Sequence, residues 1–185
     1  MRYCYTLLNP DNNCQGFKEN VSLMTYGDDN VMGVRESIPW FNHTAIQTEL
    51  AKIGVEYTMA DKESESVPYI NISDVTFLKR AWRWDEDVKA WLAPLEEASI
   101  QKSLTVWVPS GTINKWEQMI QVMNSASNEY FFYGRKKHNE MRSIFLKMAS
   151  QPPFAYYMQE SHFPDFDQLV ERFRRASEQL VTERS

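Results

Sequence analysis

Short apolar runs separated by turn residues organise the first half of the chain. The runs VSLM and VMGV flank the polar stretch GDDN at residues 27–30. Two β-rich runs around Gly, Asp and Asn predict a hairpin with a tight turn that needs positive φ angles. We therefore expect a β-hairpin at residues 21–34, with two adjacent carboxylates at its tip.

The stretch that follows alternates between helical and extended patterns. Apolar residues at helical spacing predict a helix, with a capping box at Thr44 and Gln47 and an end at Gly54. Residues 55–62 are predicted to form a strand that runs into a loop. The β-branched and aromatic residues of 72–82 predict a second strand pair.

Helical periodicity dominates the second half, beyond an acidic stretch that precedes Pro94. Apolar residues at helical spacing form one stripe after another there. The predicted helices lie at residues 94–105, 112–125, 135–150 and 164–182. The fold class expected from both halves is α+β, with antiparallel β-hairpins and a packed helix followed by an α-helical part.

Composition narrows the protein class only modestly. The 185 residues suffice for one ordinary domain or two small ones, and the net charge of −5 argues against wrapping nucleic acid over the whole surface. Cys4 and Cys14 are the only cysteines, which favours a reduced, intracellular protein. We expect no transmembrane segment, because no apolar run approaches the ~18 residues of a membrane span.

The acidic pair Asp28 and Asp29 has two interpretations. Two anions about 4 Å apart repel each other by roughly 1 kcal/mol in water and about 4 kcal/mol near a protein surface. One interpretation is a fully solvated hairpin turn, since Asp and Asn are ordinary turn residues. The other is a site for a hard divalent cation, whose oxygen ligands include adjacent carboxylates.

Four motifs in a fixed order resemble those of one protein family. YGDD at residues 26–29 resembles the catalytic hairpin of viral RNA-dependent RNA polymerases, and MADK at 59–62 resembles the lysine-bearing loop after the palm helix. FLKR at 77–80 resembles the primer grip, and residues 96–107 resemble the first thumb helix of picorna-like viral polymerases. The resemblance implies the C-terminal part of a palm at residues 1–90 and a helical thumb at 91–185.

The resemblance also implies roles for the residues of the hairpin and the lysine loop. Asp28 would be a direct ligand of catalytic Mg²⁺ or Mn²⁺, and Asp29 an accessory ligand. Lys62 would stabilise or protonate the leaving pyrophosphate, although a lone surface lysine is more often merely solvated. The residues that support the acidic pair would be Tyr26, Gly27 and Asn30.

RNA contacts are implied for two further stretches. Lys79 and Arg80 would clamp the phosphates of the primer, although a basic pair can also simply protect a strand edge. The residues of the first thumb helix that would contact RNA are Ser99, Lys102 and Ser103. A basic helix face such as that of residues 135–147 is usually only solvated, and the tryptophans at 82, 84, 91 and 107 are expected in the core.

The implied partners are an RNA template and primer, nucleoside triphosphates, and the fingers and N-terminal palm of the same polyprotein. The family acts in the host cytoplasm, at virus-induced membrane replication complexes. The chain begins inside an apolar helical pattern, so we expect a fragment that is inactive alone. Two alternatives remain open: a polymerase similar to reverse transcriptases, and a non-catalytic remnant that binds RNA or a partner.

Overall fold

The computed structural model describes residues 1–182, and the side chains of residues 1–179. The last residues of the predicted thumb, 183–185, lie outside the described residues. The chain divides into two compact units, Met1–Leu78 and Lys79–Ser185. Mixed helices and small antiparallel hairpins confirm the α+β class. The predicted boundary between palm and thumb, after residue 90, lies later in the chain than the division between the two units.

The first unit packs its helices and one hairpin around an aromatic core. Its elements are α1 (Arg2–Leu8), α2 (Phe17–Asn20), β1 (Val21–Tyr26), β2 (Asp29–Val34), α3 (His43–Ala51) and a 3₁₀ turn (Ile72–Asp74). Tyr5 lies at the centre of this core, with its ring edge-on to Phe17 and to Phe41 at 5.2 Å each. Ile46 of α3 is fully buried in the same cluster. Such edge-on aromatic contacts add specific geometry to apolar burial.

The predicted hairpin at residues 21–34 is confirmed. Strands β1 and β2 pair antiparallel from Val21–Val34 to Tyr26–Asp29, so the loop consists of Gly27 and Asp28 alone. Gly27 has a φ of 61°, which glycine adopts without the strain that a side chain would impose. The positive φ therefore falls at the first loop position, while Asp29 already belongs to β2.

The helix after the hairpin is confirmed, but its predicted cap is wrong. Asn42 precedes α3, and its side-chain oxygen accepts a hydrogen bond from the backbone N–H of Ala45 at 3.0 Å. The hydroxyl of Thr44 instead lies 3.0 Å from Ser66 Oγ. Asparagine caps helices as well as threonine does, so the residue that reaches the free N–H takes the role. Gly54 follows the helix with a φ of 75°, as predicted for its end.

The strands predicted at 55–62 and at 72–82 are wrong for most of their length. Residues 55–61 have no strand pairing, and side chains bind the local polar groups instead. Gln47 Nε2 donates to the carbonyl of Tyr57 at 2.8 Å, and the Asp61 carboxylate accepts from the N–H of Glu63 at 3.2 Å. Side-chain hydrogen bonds of this kind compete with strand ladders.

The second unit is a helical bundle with one small hairpin. Its elements are β3 (Arg83–Asp85), β4 (Ala90–Leu92), α4 (Glu97–Thr105), α5 (Lys115–Phe131), α6 (Arg135–Ala149), a 3₁₀ turn (Phe154–Tyr157) and α7 (Phe166–Thr182). Its main core packs Ile120, Met123 and Tyr130 of α5 against Phe145 of α6 and Phe163. A second cluster joins the β3–β4 hairpin, α5 and α7 through residues such as Leu92, Phe131 and Phe166.

The expectation that the tryptophans lie in the core is wrong for three of them. Trp84 and Trp91 face each other across the β3–β4 hairpin with ring centroids 6.1 Å apart, and Trp107 follows α4. Their exposed fractions lie between 44% and 54%. Trp84 and Trp91 share a face of a two-stranded ribbon, and the Trp84 indole N–H donates to Glu86 at 3.0 Å.

Candidate active site

The acidic pair lies at the solvent-exposed tip of the β1–β2 hairpin. Asp28 is the second loop residue and Asp29 begins β2, so a two-residue turn between paired strands presents both carboxylates. Within the described residues, neither carboxylate has a hydrogen-bond or ion-pair partner. Tyr26, directly before the loop, is 71% exposed. The repulsion between the two anions is thus not offset by any cationic side chain that the structure describes.

The side chain of the next residue, Asn30, is held by a hydrogen bond from Tyr57. The Tyr57 hydroxyl donates a hydrogen bond to Asn30 Oδ1 at 2.9 Å. Like any tyrosine, Tyr57 is protonated at neutral pH, and burial raises its pKa further above the ordinary value. Asn30 is therefore fixed next to Asp29 by a contact from residues far along the chain.

Lys62 lies in an exposed loop with a turn of its own. Asp61, directly before it, accepts from the Ser64 hydroxyl at 2.9 Å and from the Ser64 N–H through its main-chain carbonyl at 3.1 Å. Lys62 has no ion-pair partner in the part of the chain that the structure describes. Its ammonium is thus available to a ligand, as a role in phosphate chemistry requires.

The FLKR stretch has an unusual backbone. Leu78 and Lys79 have φ angles of 52° and 61°, in the left-handed region that bulky residues rarely adopt. Such strain costs of the order of 1–3 kcal/mol per residue and concentrates at functional sites. Lys79 also contacts Glu96 in two ways. Its carbonyl accepts a hydrogen bond from the N–H of Glu96 at 2.7 Å, and its ammonium lies 3.7 Å from the Glu96 carboxylate.

Arg80 is occupied within the second unit. Its two terminal nitrogens donate to the two carboxylate oxygens of Glu129 at 2.9 and 2.8 Å, and one of them also donates to the Ala93 carbonyl at 2.9 Å. This paired geometry is among the strongest that arginine forms. The role of Arg80 in RNA binding stays a prediction, and an RNA phosphate would have to compete with Glu129.

The candidate residues of α4 lie near one another on the helix surface, with Lys102 and Ser103 exposed and Ser99 half-buried. Positions 99, 102 and 103 have the spacing that places side chains together on a helix, beside the row that contains the buried Ile100. Ser99 Oγ donates to Glu96 at 3.2 Å, and Ser103 Oγ donates to the Ile100 carbonyl at 2.7 Å. Lys102 is exposed, and among the described residues it has no ion-pair partner.

Two of the five lysines and arginines of α6 pair with carboxylates. Arg135 pairs with Asp87 at 3.1 Å and with Asp167 at 2.9 Å, and Lys137 pairs with Glu97 at 2.9 Å. Burial raises the pKa of Tyr130 to about 12, and its hydroxyl donates to the same Glu97 carboxylate at 3.2 Å. Glu97 therefore ties α4 to α5 and α6 instead of leaving Lys137 free.

A protein-family model matches most of the chain. The sequence model of viral RNA-dependent RNA polymerases matches residues 1–144, which includes the hairpin, the lysine loop, FLKR and α4. The chain belongs to this polymerase family. The resemblance drawn from the four motifs is therefore confirmed.

Relatives among curated proteins are polyproteins of picorna-like viruses. The chain is 30% identical to the replicase polyprotein of Cricket paralysis virus over 134 residues, which are 72% of this chain and 8% of that polyprotein. It is 33% identical to the RNA1 polyprotein of Arabis mosaic virus over 159 residues, or 84% of this chain and 7% of that one. The polymerase chain thus spans less than a tenth of these relatives.

A solved structure shows the same fold. The polymerase chain superposes on a Sicinivirus 3Dpol RNA-dependent RNA polymerase with a TM-score of 0.58 and 21% sequence identity. The match covers 90% of this chain and 32% of that one. In the described part of our chain, no helix is both long and apolar enough to cross a bilayer.

Polymerases of this family typically use divalent metals, and the hairpin tip offers suitable but incomplete ligands. Asp28 and Asp29 supply carboxylate oxygens, the donors that Mg²⁺ and Mn²⁺ prefer. The described residues contain no group of three His, Cys, Asp or Glu side chains that could hold a metal ion. The donor chemistry fits a divalent cation that takes further ligands from elsewhere.

Sequence reasoning missed three residues that organise these motifs. Tyr57 contacts Asn30, His43 contacts Ser66 just after the Lys62 loop, and Glu129 pairs with Arg80. Tyr57 lies close to the MADK motif, and an aromatic residue there was a usable signal. No sequence signal pointed to His43 or Glu129, because their partners are distant in sequence.

Proposed function

We propose that the chain supplies the C-terminal palm and the thumb of a polymerase that adds nucleotides to the 3′-hydroxyl of an RNA primer on an RNA template. Residues 1–90 would form the palm part and residues 91–185 the thumb. One observation carries the proposal: two adjacent carboxylates without any partner among the described residues occupy the tip of a hairpin with a fixed register. A solvated turn could carry the same pair, and the match of the polymerase family model to residues 1–144 favours the metal role.

The acidic pair is proposed to hold the catalytic metals. Asp28 acts as the direct ligand and Asp29 as an accessory ligand, while the remaining ligands come from palm residues outside this chain. Bound Mg²⁺ or Mn²⁺ would promote attack by the primer hydroxyl and neutralise charge on the triphosphate. Tyr26, Gly27 and Asn30 keep the tip in place.

Lys62 is proposed to serve the leaving group. In the reaction, a bond forms between the 3′-oxygen and the α-phosphorus, and the bond from that phosphorus to pyrophosphate breaks. The Lys62 ammonium donates its proton to the departing pyrophosphate oxygen, while the 3′-hydroxyl proton leaves to solvent. The exposed position of Lys62, without a carboxylate partner in the described structure, supports this role.

RNA contacts are proposed for polar residues on the surface of the second unit. Lys79, on its strained backbone turn, contacts primer phosphates, and Lys102 with Ser99 and Ser103 contacts the product strand from one face of α4. Such contacts give affinity and register without reading sequence. Arg80 shapes this region through Glu129.

The chain is proposed to act only within a longer polymerase. The fingers and N-terminal palm of the same polyprotein complete the metal site and bind nucleoside triphosphates. The curated relatives, of which this chain covers 8% and 7%, support that arrangement. The proposed location is the host cytoplasm, at virus-induced membrane replication complexes.

The decisive test replaces one carboxylate in a polymerase that carries this segment. Asp28→Asn keeps the shape and removes the charge, and we expect loss of primer extension by about 10³-fold, the upper end of the range for one electrostatic catalytic group. Asp11→Asn removes an exposed carboxylate of the same unit and should leave extension unchanged. Mn²⁺ titration of both variants shows whether the loss follows metal binding. Full extension by Asp28→Asn would leave the non-catalytic remnant as the better explanation.

A further inference from the structure

The loop that carries Lys62, residues 58–65, is anchored at both ends by the first residue of α3. At its start, the Tyr57 ring stacks on the His43 imidazole with ring centroids 4.7 Å apart. At its end, Ser66 Oγ lies 2.7 Å from His43 Nδ1. The main-chain N–H of His43 also donates to the Pro68 carbonyl at 3.2 Å. One side chain thus holds the two points between which the Lys62 loop extends.

Further contacts strengthen each anchor. Gln47, one turn along α3, donates to the Tyr57 carbonyl at 2.8 Å, and Thr44 Oγ1 lies 3.0 Å from Ser66 Oγ. Between the anchors, Asp61 closes its own turn with Ser64. The position of Lys62 therefore depends on a short loop with fixed ends rather than on contacts of its own side chain.

The same tyrosine reaches the acidic hairpin. Tyr57 Oη donates to Asn30 Oδ1 at 2.9 Å, and Asn30 directly follows Asp29. Tyr57 packs against the aromatic core of the unit, so its hydroxyl extends from a supported ring. The hydrogen bond consequently links the start of the Lys62 loop to β2, the strand that begins at Asp29.

We propose that Tyr57 and His43 are positioning residues that set the Lys62 loop against the Asp28–Asp29 hairpin. This inference rests on the proposed role of Lys62 as proton donor. Proton transfer and phosphoryl transfer both depend on the alignment of reacting groups, and displacements of about 1 Å can cost up to about 10²-fold in rate. Neither residue need touch the nucleotide to exert this effect.

The first test measures order in the loop and needs no catalysis. Tyr57→Phe removes the hydroxyl and keeps the ring stack, and we expect tryptic cleavage after Lys62 in the 185-residue chain to accelerate about two- to tenfold, the range set by one hydrogen bond. Tyr5→Phe is the matched control. It removes a hydroxyl that accepts from Asn20 at 3.2 Å, in the same unit but away from the loop. Equal cleavage rates for the two variants would refute the tether.

The second test asks whether the tether acts through Lys62. In a polymerase that carries this segment, Tyr57→Phe should lower kcat about two- to tenfold and leave the KM for nucleotide unchanged. In a Lys62→Leu background, the same change should cause no further loss, because coupled residues are not additive. A full additional loss would show a general structural effect and overturn the positioning role.

The two tests separate the inference from the function on which it rests. If Lys62→Leu leaves incorporation unchanged, the proton-donor role is wrong, and the cleavage experiment still decides whether Tyr57 orders the loop. A variant of the partner, Asn30→Ala, should reproduce the cleavage rate of Tyr57→Phe, and the double variant should be no faster. Faster cleavage in the double variant would show that the two residues act separately.

Discussion

The two units use their charged residues differently. In the first unit, Asp28, Asp29 and Lys62 are exposed and have no partner among the described residues. In the second unit, Arg80, Arg83 and Arg135 are all held by carboxylates at 2.7–3.1 Å. Of these three arginines only Arg80 belongs to a family motif, and Lys102 of the second unit has no ion-pair partner among the described residues. The charged motif residues without a partner are the better candidates for chemistry.

The β3–β4 hairpin contains one of these ion pairs, between Arg83 and Asp85. Burial would raise the pKa of Asp85, but hydrogen bonds from Arg83 and from the N–H of Val88 hold it below its ordinary value. Gly134 packs against this pair with a φ of 94°, and a Cβ there would lie 3.2 Å from the Asp85 carboxylate. A side chain at 134 would therefore be strained by the positive φ and would crowd the ion pair.

After Asp28→Asn, the largest effect is expected for the unpaired charge of Lys62. Lys62→Leu should slow nucleotide incorporation about 10²-fold, the lower end of general-acid contributions, with RNA affinity unchanged. Single-turnover incorporation and RNA binding would be measured on the same polymerase. Lys18→Leu, an exposed lysine of α2, serves as the control. An unchanged rate in Lys62→Leu would show that the lysine is only a solvated loop residue. It would also weaken the argument that unpaired charges are the better candidates for chemistry.

A moderate loss of stability is expected where the charge is paired. Arg80→Ala should lower the free energy of unfolding by about 2 kcal/mol, because it leaves a partly buried Glu129 carboxylate without its donors. Arg175→Ala breaks the exposed pair with Glu171 and should cost at most about 0.5 kcal/mol. Denaturant unfolding of both variants makes the comparison. Equal losses would show that the Glu129 pair is no more than a surface ion pair.

Acid should weaken the second unit through His138. Burial lowers the pKa of this fully buried histidine, with Asn139, Arg142, Asp165 and the Phe166 ring as its neighbours. Below about pH 6.5, the unfolded chain binds a proton that the folded chain resists, so stability falls as pH falls from about 7 to 5. The stabilisation is fully present above that range.

The measurement is denaturant unfolding across this pH range. His138→Gln should make the free energy of unfolding less dependent on pH. His162→Gln, whose ring nitrogen accepts from the N–H of Gln159 at 3.2 Å, should retain it. A pH dependence that survives His138→Gln would assign it to other groups.

The smallest effect is expected for a single RNA contact. Lys102→Ala should weaken RNA binding a few-fold and reduce the salt slope of the affinity by about 1, the signature of one phosphate contact. Lys89→Ala should change neither the RNA affinity nor its salt slope, since Lys89 already pairs with Glu86 at 2.7 Å. Binding would be measured from about 50 to 200 mM salt. Equal slopes for the two variants would remove α4 from the RNA-binding surface.

Local patterns predicted a large part of this fold. The hairpin followed from apolar runs around glycine and adjacent carboxylates, and its two-residue turn follows from Gly27. Helices in the second half also followed from periodicity, although their ends moved by several residues. The strand predictions at 55–62 and 72–82 failed, because β-branched composition says nothing about whether another strand is available for pairing.

The sequence alone determined the family, the acidic hairpin and the order of the motifs, because these depend on residues close together in the chain. Only the tertiary structure decided which of the charged residues remain free. Arg80 meets Glu129 across 49 positions, and Tyr57 meets Asn30 across 27. Such pairs depend on how helices and loops pack, since the Coulomb and hydrogen-bond energies that matter act over a few ångströms of space and not along the chain.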